Sequence, residues 1–175
     1  GPDHVDRRAL PDLLGPFKYK AEVVPVKSTD DLIHSSTGTP PAVVDGRYYF
    51  GSNHGHVIAN DIDKPASKAS RSRPTRWGYL TTPTIYGGRI LIGDAGGKVH
   101  GLRADNAELL YQARTRGRIY AAPVPNGDDL YVANLGGSLY KIDIANGSML
   151  WDIAIGGELR ASPAYANGVV VAVTT

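Results

Sequence analysis

The sequence has no cysteine. Disulfides, thiolate zinc sites, iron–sulfur clusters and cysteine nucleophiles are thereby excluded, although the redox compartment is not fixed by that alone. No apolar run approaches the ~18 residues that a transmembrane helix needs. Charge of one sign is scarce too. Nineteen Lys and Arg stand against 17 Asp and Glu, and the net charge of +2 is too small to argue for nucleic acid. No long amphipathic helical pattern is present. What the chain has in quantity is punctuation: 21 glycines and 12 prolines in 175 residues. That suits a chain that turns often and does not suit a helical bundle. The length and the 42% hydrophobic content fit one globular domain, or a set of small repeats sharing one core.

Gly1-Pro2 reads as a cleavage remnant, and no signal peptide is read at the start. Residues 3 to 15 carry Leu10, Leu13 and Leu14 around Pro11 and before Gly15. They are read as a flexible or loosely docked arm, or as an anchor packing on another subunit.

Four segments align on Pro41, Pro83, Pro123 and Pro163, at intervals of 42, 40 and 40 residues. A proline at the start of a strand is tolerated because its missing N–H need not break a ladder. Asp45-Gly46, Gly87-Gly88, Asn126-Gly127 and Asn167-Gly168 follow as hairpin turns, since these pairs accept positive φ. Next come the apolar triplets Tyr48-Tyr49-Phe50, Ile90-Leu91-Ile92, Leu130-Tyr131-Val132 and Val169-Val170-Val171, which suit strands buried on both faces. A second hairpin is marked at His54-Gly55, Gly96-Gly97 and Gly136-Gly137. Third strands open at Val57, Val99 and Leu139, and fourth strands at Leu109-Leu110-Tyr111 and Met149-Leu150-Trp151. Four short antiparallel strands in about 40 residues make a β-propeller blade, which must stack against neighbours to bury its faces.

The third unit runs Lys141-Ile142-Asp143-Ile144-Ala145-Asn146-Gly147-Ser148-Met149-Leu150-Trp151 and then Ser162-Pro163. It resembles the tryptophan-docking repeat of the PQQ-like (quinoprotein) β-propeller family. In that pattern an Asp-bearing strand turns through a glycine and reaches a Trp that lies flat between blades. Asp143, Gly147 and Trp151 match, and Lys141 departs from the expected alanine. The second unit is degenerate, with Arg103, Ala107 and Tyr111. The first keeps Ala59 and Asp61 but has Pro65 and Ala69 for the glycine and the Trp. The resemblance covers about 160 residues and implies seven or eight blades. It implies a bacterial periplasmic or extracellular setting, and it spans dehydrogenases, assembly scaffolds and sensor domains.

The chain ends just after the second strand of its fourth unit. Pro16 lies 25 residues before Pro41, as Lys98 and Ser138 lie before their prolines, and it opens the alternating stretch Pro16 to Val24. Residues 16–37 therefore read as the third and fourth strands of a blade. The domain reading is an arm at 1–15 and propeller repeats at 16–175, divided into 16–37, 38–78, 79–118, 119–158 and 159–175. The opening strands complete the closing sheet within one chain as a four-bladed ring, or between two chains as an eight-bladed homodimer, or the chain is part of a longer propeller.

Ligands of a propeller bind where the channel meets the loops between blades. That face takes Gly38, Leu80, Tyr120 and Arg160, with Tyr79, Arg118 and Glu158 beside them and Asn53, His54, Asp94, Asn134 and Leu135 from the turns. The predicted ligand-binding set is Tyr79, Arg118, Tyr120, Glu158, Arg160, Asn53 and His54, in which two arginines hold a carboxylate and the tyrosines stack. The plainer reading is a solvated rim. His54-x-His56 is read as a turn and not as a metal site, for it lacks the further ligands zinc needs. Asp61 is read as capping its turn as Asp143 does. Lys64 to Arg76 carries five cations and no acid. It is read as a solvated mobile loop or as a site for an acidic partner, phosphate-rich lipid or polyanion.

No Ser–His–Asp or paired-carboxylate arrangement is assigned. The leading reading is a non-enzymatic scaffold that binds a protein or small molecule through its loop face, without a cofactor or metal. The alternative is a quinoprotein dehydrogenase using PQQ with Ca²⁺, or a fragment of one. A third is a structural half-ring.

Overall fold

The computed structural model describes residues 40–175. The arm at 1–15, the strands expected at 16–37 and Gly38 lie outside the described residues. Three four-stranded antiparallel sheets and one two-stranded sheet follow each other along the chain. The first holds β1 (Ala42–Val44), β2 (Arg47–Gly51), β3 (Val57–Asp61) and β4 (Ser70–Arg71). The second holds β5 (Thr84–Tyr86), β6 (Arg89–Gly93), β7 (Lys98–Arg103) and β8 (Leu109–Arg114). The third holds β9 (Val124–Asn126), β10 (Asp129–Ala133), β11 (Ser138–Asp143) and β12 (Met149–Ala154). In each, strands pair in chain order, as in a propeller blade. β13 (Ala164–Ala166) and β14 (Val169–Val171) form the two-stranded sheet.

The core lies between blades, and the alternation of each second strand builds it. Ile90 and Ile92 of β6 join Tyr49, Val57 and Ala59 of the first blade. Leu91, between them, turns the other way, toward Leu130 and Val132 of the third. In β10 Ala133 joins the side that packs Trp151 and Val170. The apolar triplets of blades 2 and 3 are thus buried on both faces, as read. The fourth is not: Val169 and Val171 are 60% and 54% exposed.

Hairpin geometry follows the turn pairs. Asp45 and Gly46 have φ of 50° and 72°, and Asn167 and Gly168 have 50° and 79°, as type I′ turns require. The third blade departs from the expected pair. Asn126 belongs to β9 and faces Asp129, so the loop is Gly127-Asp128, with Gly127 at φ 59°.

Lys64 to Arg76 is more regular than the mobile loop expected of it. It forms a 3₁₀ turn at Ala66–Lys68 and then β4, which pairs with β3. Ser72 pins the end: its N–H donates to the Val57 carbonyl, and its Oγ accepts from the Val57 N–H at 2.9 Å. Among the described residues no helix is long and apolar enough to cross a membrane.

Candidate functional site

Each blade is tied to the next by one recurring backbone contact. The N–H groups of Tyr79, Ile119 and Leu159 donate to the carbonyls of Ser52, Asp94 and Asn134 on the preceding blade. Those three donors hold equivalent positions, four residues before their prolines, and all three side chains are buried. Tyr79 was expected at the loop face. It is instead the counterpart of Ile119 and Leu159 in the interblade core, so counting to the proline named the loop correctly but not the direction of the side chain. Burial pushes its phenol pKa above the ordinary value, while a hydrogen bond with Thr75 pulls the other way.

Beneath the turns lies a buried polar layer. The Asp94 carboxylate accepts from the N–H groups of Gly96 and Lys98 and, at 2.7 Å, from His100 Nε2. The Gln112 amide lies 3.2 Å from His100 Nδ1, and Tyr79 meets the imidazole edge-on. An amide donor at Nδ1 leaves Nε2 as the protonated nitrogen. Burial raises the Asp94 pKa, but the His100 bond and the two N–H groups outweigh it and hold the carboxyl below its ordinary value. In blade 3 the same position is neutral. Asn134 donates to Thr115 Oγ1 and Tyr140 OH and accepts from Ser138 N–H. Asp94 and Asn134, placed among the loop-face residues by spacing, are therefore braces under the turns.

The remaining predicted residues stay at the surface. Arg118, Tyr120, Glu158 and Arg160 are exposed, as are Asn53 and His54 in the turn after β2. Arg160 is taken up by Glu158, with Nε 2.9 Å from Oε2 and a second contact from Nη2 at 2.6 Å. The Arg118 carbonyl accepts from Leu135 N–H, which ties that loop to the next turn. His56 diverges from His54, donating from Nδ1 to the Ser72 carbonyl at 2.9 Å. Among the described residues no three His, Asp or Glu side chains come together to hold a metal ion. Asp143 caps its turn by accepting from Ala145 N–H at 2.7 Å. Asp61 does not do the same: its carboxylate is held by Lys64 and by Arg47 at 3.4 Å.

Sequence spacing gave no sign of two clefts at the junction of blades 1 and 2. One, of about 710 Å³, is flanked by Arg47, Arg89 and Arg103 with Asp45 and Asp105. Its charges are largely spent internally, for Arg103 grips Asp105 through Nε and Nη2, and Arg47 reaches Asp61 and the Asp105 carbonyl. The other, of about 450 Å³, lies between the segment after β4 and the outer half of blade 2.

The junction of blades 2 and 3 shows why clefts open there. Tyr111 lies between Gly101, its cross-strand partner, and Gly147 in the turn of the next blade. A Cβ on either glycine would sit 2.4 Å from the ring. The docking ring and the docking glycine thus come from different repeats. At the junction of blades 1 and 2 the register places Ser70, opposite Ala59, at the ring's position, one residue beyond the Ala69 expected from spacing, with Ala107 in the facing turn, and neither supplies a ring.

Comparisons with known proteins agree with this architecture. Residues 110–175 match a family model described as outer membrane protein assembly factor BamB. No curated protein matches the sequence. Among solved structures, BamB from Moraxella catarrhalis is similar with a TM-score of 0.66 and 19% identity, over 77% of this chain and 42% of that one. The computationally designed Ika4 protein is similar with a TM-score of 0.69 and 15% identity, over 79% and 85%. A europium-containing methanol dehydrogenase follows at 0.54 and 19%, over 70% and 25%. The chain spans less than half the length of the BamB structure. With the blades, the docked ring and the family match in hand, the chain has a β-propeller fold, and its residues 110–175 are similar to repeats of the PQQ-like type.

Proposed function

We propose that this chain is a non-enzymatic scaffold of the periplasm or cell exterior that binds a protein through the loop face of its blades. The match of residues 110–175 to an assembly-factor family carries the reading. The fold supports it physically. Strands buried on both faces form a rigid base, and exposed loops on such a base are suited to recognition. Tyr120 is the aromatic anchor, with Arg118 and the Glu158–Arg160 pair as its polar surround. The test is a photoreactive aromatic placed at Tyr120 or, on the outer strand, at Leu150, followed by crosslinking in native cells. A protein adduct specific to position 120 is expected. Equal adducts at both positions, or none at 120, would overturn the reading.

A second copy of the chain is the proposed partner at the β14 edge. Val169, Val171 and Val173 are each more than half exposed there, and the alternating segment from Pro16 to Val24 has the pattern of a completing strand. Light scattering should give a mass near twice 18.6 kDa. A mass of one chain excludes the dimer.

The methanol dehydrogenase likeness favours a second reading, PQQ-dependent oxidation. Ca²⁺ beside PQQ takes several carboxylate or carbonyl oxygens. The described residues bring no such acidic cluster together, so they do not fit that group. A thermal shift on adding PQQ with Ca²⁺, joined to dye reduction, would reinstate this reading; no shift removes it.

A further inference from the structure

Three Asn-Gly steps punctuate the described blades: Asn126-Gly127, Asn146-Gly147 and Asn167-Gly168. An Asn followed by glycine is open to a reaction that needs only water. The glycine N–H gives up its proton to solvent base, and the nitrogen bonds to the Asn Cγ. The bond from Cγ to the amide nitrogen breaks, and ammonia leaves with the proton. Water then opens the resulting succinimide at either carbonyl, to aspartate or to isoaspartate. Glycine favours the step because no Cβ crowds the attacking nitrogen.

The structure sorts the three steps. In Asn146-Gly147 both reacting groups are held. The Gly147 N–H donates to the Asp143 carbonyl at 2.8 Å, and the Asn146 Oδ1 accepts from Ser148 N–H at 2.8 Å. The Tyr111 ring also packs on Gly147. The Gly127 and Gly168 N–H groups have no acceptor among the described residues, so hairpin stability divides these two. Asn126 is half-buried in β9 and faces Asp129, and β10 is paired on its other edge with β11 over five positions. Asn167 is exposed at the first turn position, with φ of 50°. Its hairpin is three residue pairs, with no further strand among the described residues. Closing the succinimide ring twists the Asn backbone out of a hairpin turn, so the step proceeds from an opened hairpin. A two-stranded sheet opens far more readily than a four-stranded one.

We infer that Asn167-Gly168 is a self-modification site, converted to aspartate and isoaspartate ahead of the other two steps. Isoaspartate adds a methylene to the main chain, and a carboxylate, at a two-residue turn that sets the register of β13 and β14. Conversion therefore unpairs the last hairpin. A second copy seated on β14 would hold that hairpin shut, so the modification falls on unassembled chains. The site itself does not depend on that copy.

The test incubates the full chain in neutral buffer, at high dilution and in concentrated solution. Peptide mapping by mass spectrometry follows the gain of about one dalton at each Asn, and an isoaspartyl methyltransferase labels the isoaspartate. In the folded, dilute chain Asn167 should convert about tenfold or more faster than Asn146, and faster than Asn126. In denaturing urea the three rates should converge to within about threefold, because the residue after each Asn is the same. Hydrogen exchange across residues 164–171 should rise in the converted fraction. Asn126 or Asn146 converting as fast as Asn167 in the folded chain would overturn the inference. So would an inert Asn167 in a chain that converts in urea, or unchanged exchange after conversion. Slower conversion of Asn167 in concentrated solution supports the second copy at β14. A rate independent of concentration counts against that copy and leaves the site in place.

Discussion

The junction between blades 1 and 2 and the junction between blades 2 and 3 are built on one plan with one difference. Both stack a second strand of alternating apolar residues against its neighbour, and both tie the next loop back by a backbone bond to Asp94 or its counterpart Ser52. At the later junction Tyr111 fills the outer half of the contact between two glycines. At the earlier one Ser70 and Ala107 stand at the ring's place and its facing turn, and a cleft lined by Ala107 lies there. The inner half of an interblade contact is therefore enough to hold the stack. The outer half is where a repeat gains stability when an aromatic docks, or gains a surface when none does.

The sharpest way to break this comparison is to remove the ring. Tyr111→Ala should cost about 3–5 kcal/mol, the usual range for deleting a large buried aromatic. Chemical denaturation checks it, and a cost under about 1 kcal/mol would mean that the ring fills space without holding the blades. Gly147→Ala should be nearly as damaging. The new methyl meets the ring at 2.4 Å, and the backbone there has φ +78°, a conformation that side chains with Cβ resist.

The buried polar layer gives the next contrast. Asp94 titrates and its counterpart Asn134 does not. The carboxyl is held below its ordinary pKa of 3.8 in the folded protein. A depressed carboxylate stabilises the fold fully above its unfolded pKa, and that contribution is lost as pH falls through the lower folded value. Melting temperature should therefore fall as the solution is acidified below about pH 3.8. Asp94→Asn should flatten that part of the profile. It should also cost about 1–3 kcal/mol at pH 7, because the amide replaces one acceptor of a buried hydrogen-bonded set. An acid profile unchanged in the variant would place the titration elsewhere.

Most of the fold was legible before any coordinates, and the reason is specific. A propeller repeats its turn chemistry and its period-2 strands at a fixed interval, so the prolines and the turn pairs placed β5 to β12 within a residue or two. The one turn misplaced, at Gly127-Asp128, is the one whose glycine stands four residues after its proline instead of five. The site was less legible. Spacing assigns a residue to a loop but does not say whether its side chain points out, as at Tyr120, or into the next blade, as at Tyr79. The clefts left no motif because they arise from what is missing. Pro65 and Ala69 were visible as departures from the docking pattern, but the extra residue before β4 moves the ring's position to Ser70, and the facing turn residue, Ala107, lies in the next repeat, which only the register and packing reveal.

Rebuilding the missing dock inverts the first test at a smaller scale. Ser70→Trp with Ala107→Gly installs a ring and a turn residue at the open slot. Ala107 now holds φ +59°, a conformation disfavoured for any residue with a Cβ, so the glycine relieves strain while the indole buries apolar area. Together they should raise stability by about 1–2 kcal/mol. Chemical denaturation checks it, and no gain in stability would mean that the outer half of this junction does not take a docked ring.

The smallest effect concerns one oxygen. The Tyr111 hydroxyl is buried without a hydrogen-bond partner among the described residues. Burial pushes its pKa up to about 12; Arg89 acts against this and Asp143 adds to it. An unpartnered buried donor lowers stability, so Tyr111→Phe, which keeps the docked ring, should be neutral or stabilising by up to about 1 kcal/mol at pH 7. A phenol whose folded pKa is raised keeps its contribution below the unfolded value of 10.0 and loses it as pH rises toward 12. The wild type should therefore lose stability relative to Tyr111→Phe in that alkaline window. If Tyr111→Phe instead costs as much as Tyr111→Ala, the hydroxyl and not the ring is what joins blades 2 and 3, and the family's Trp would be replaced here by a polar contact and not by a smaller ring in the same slot.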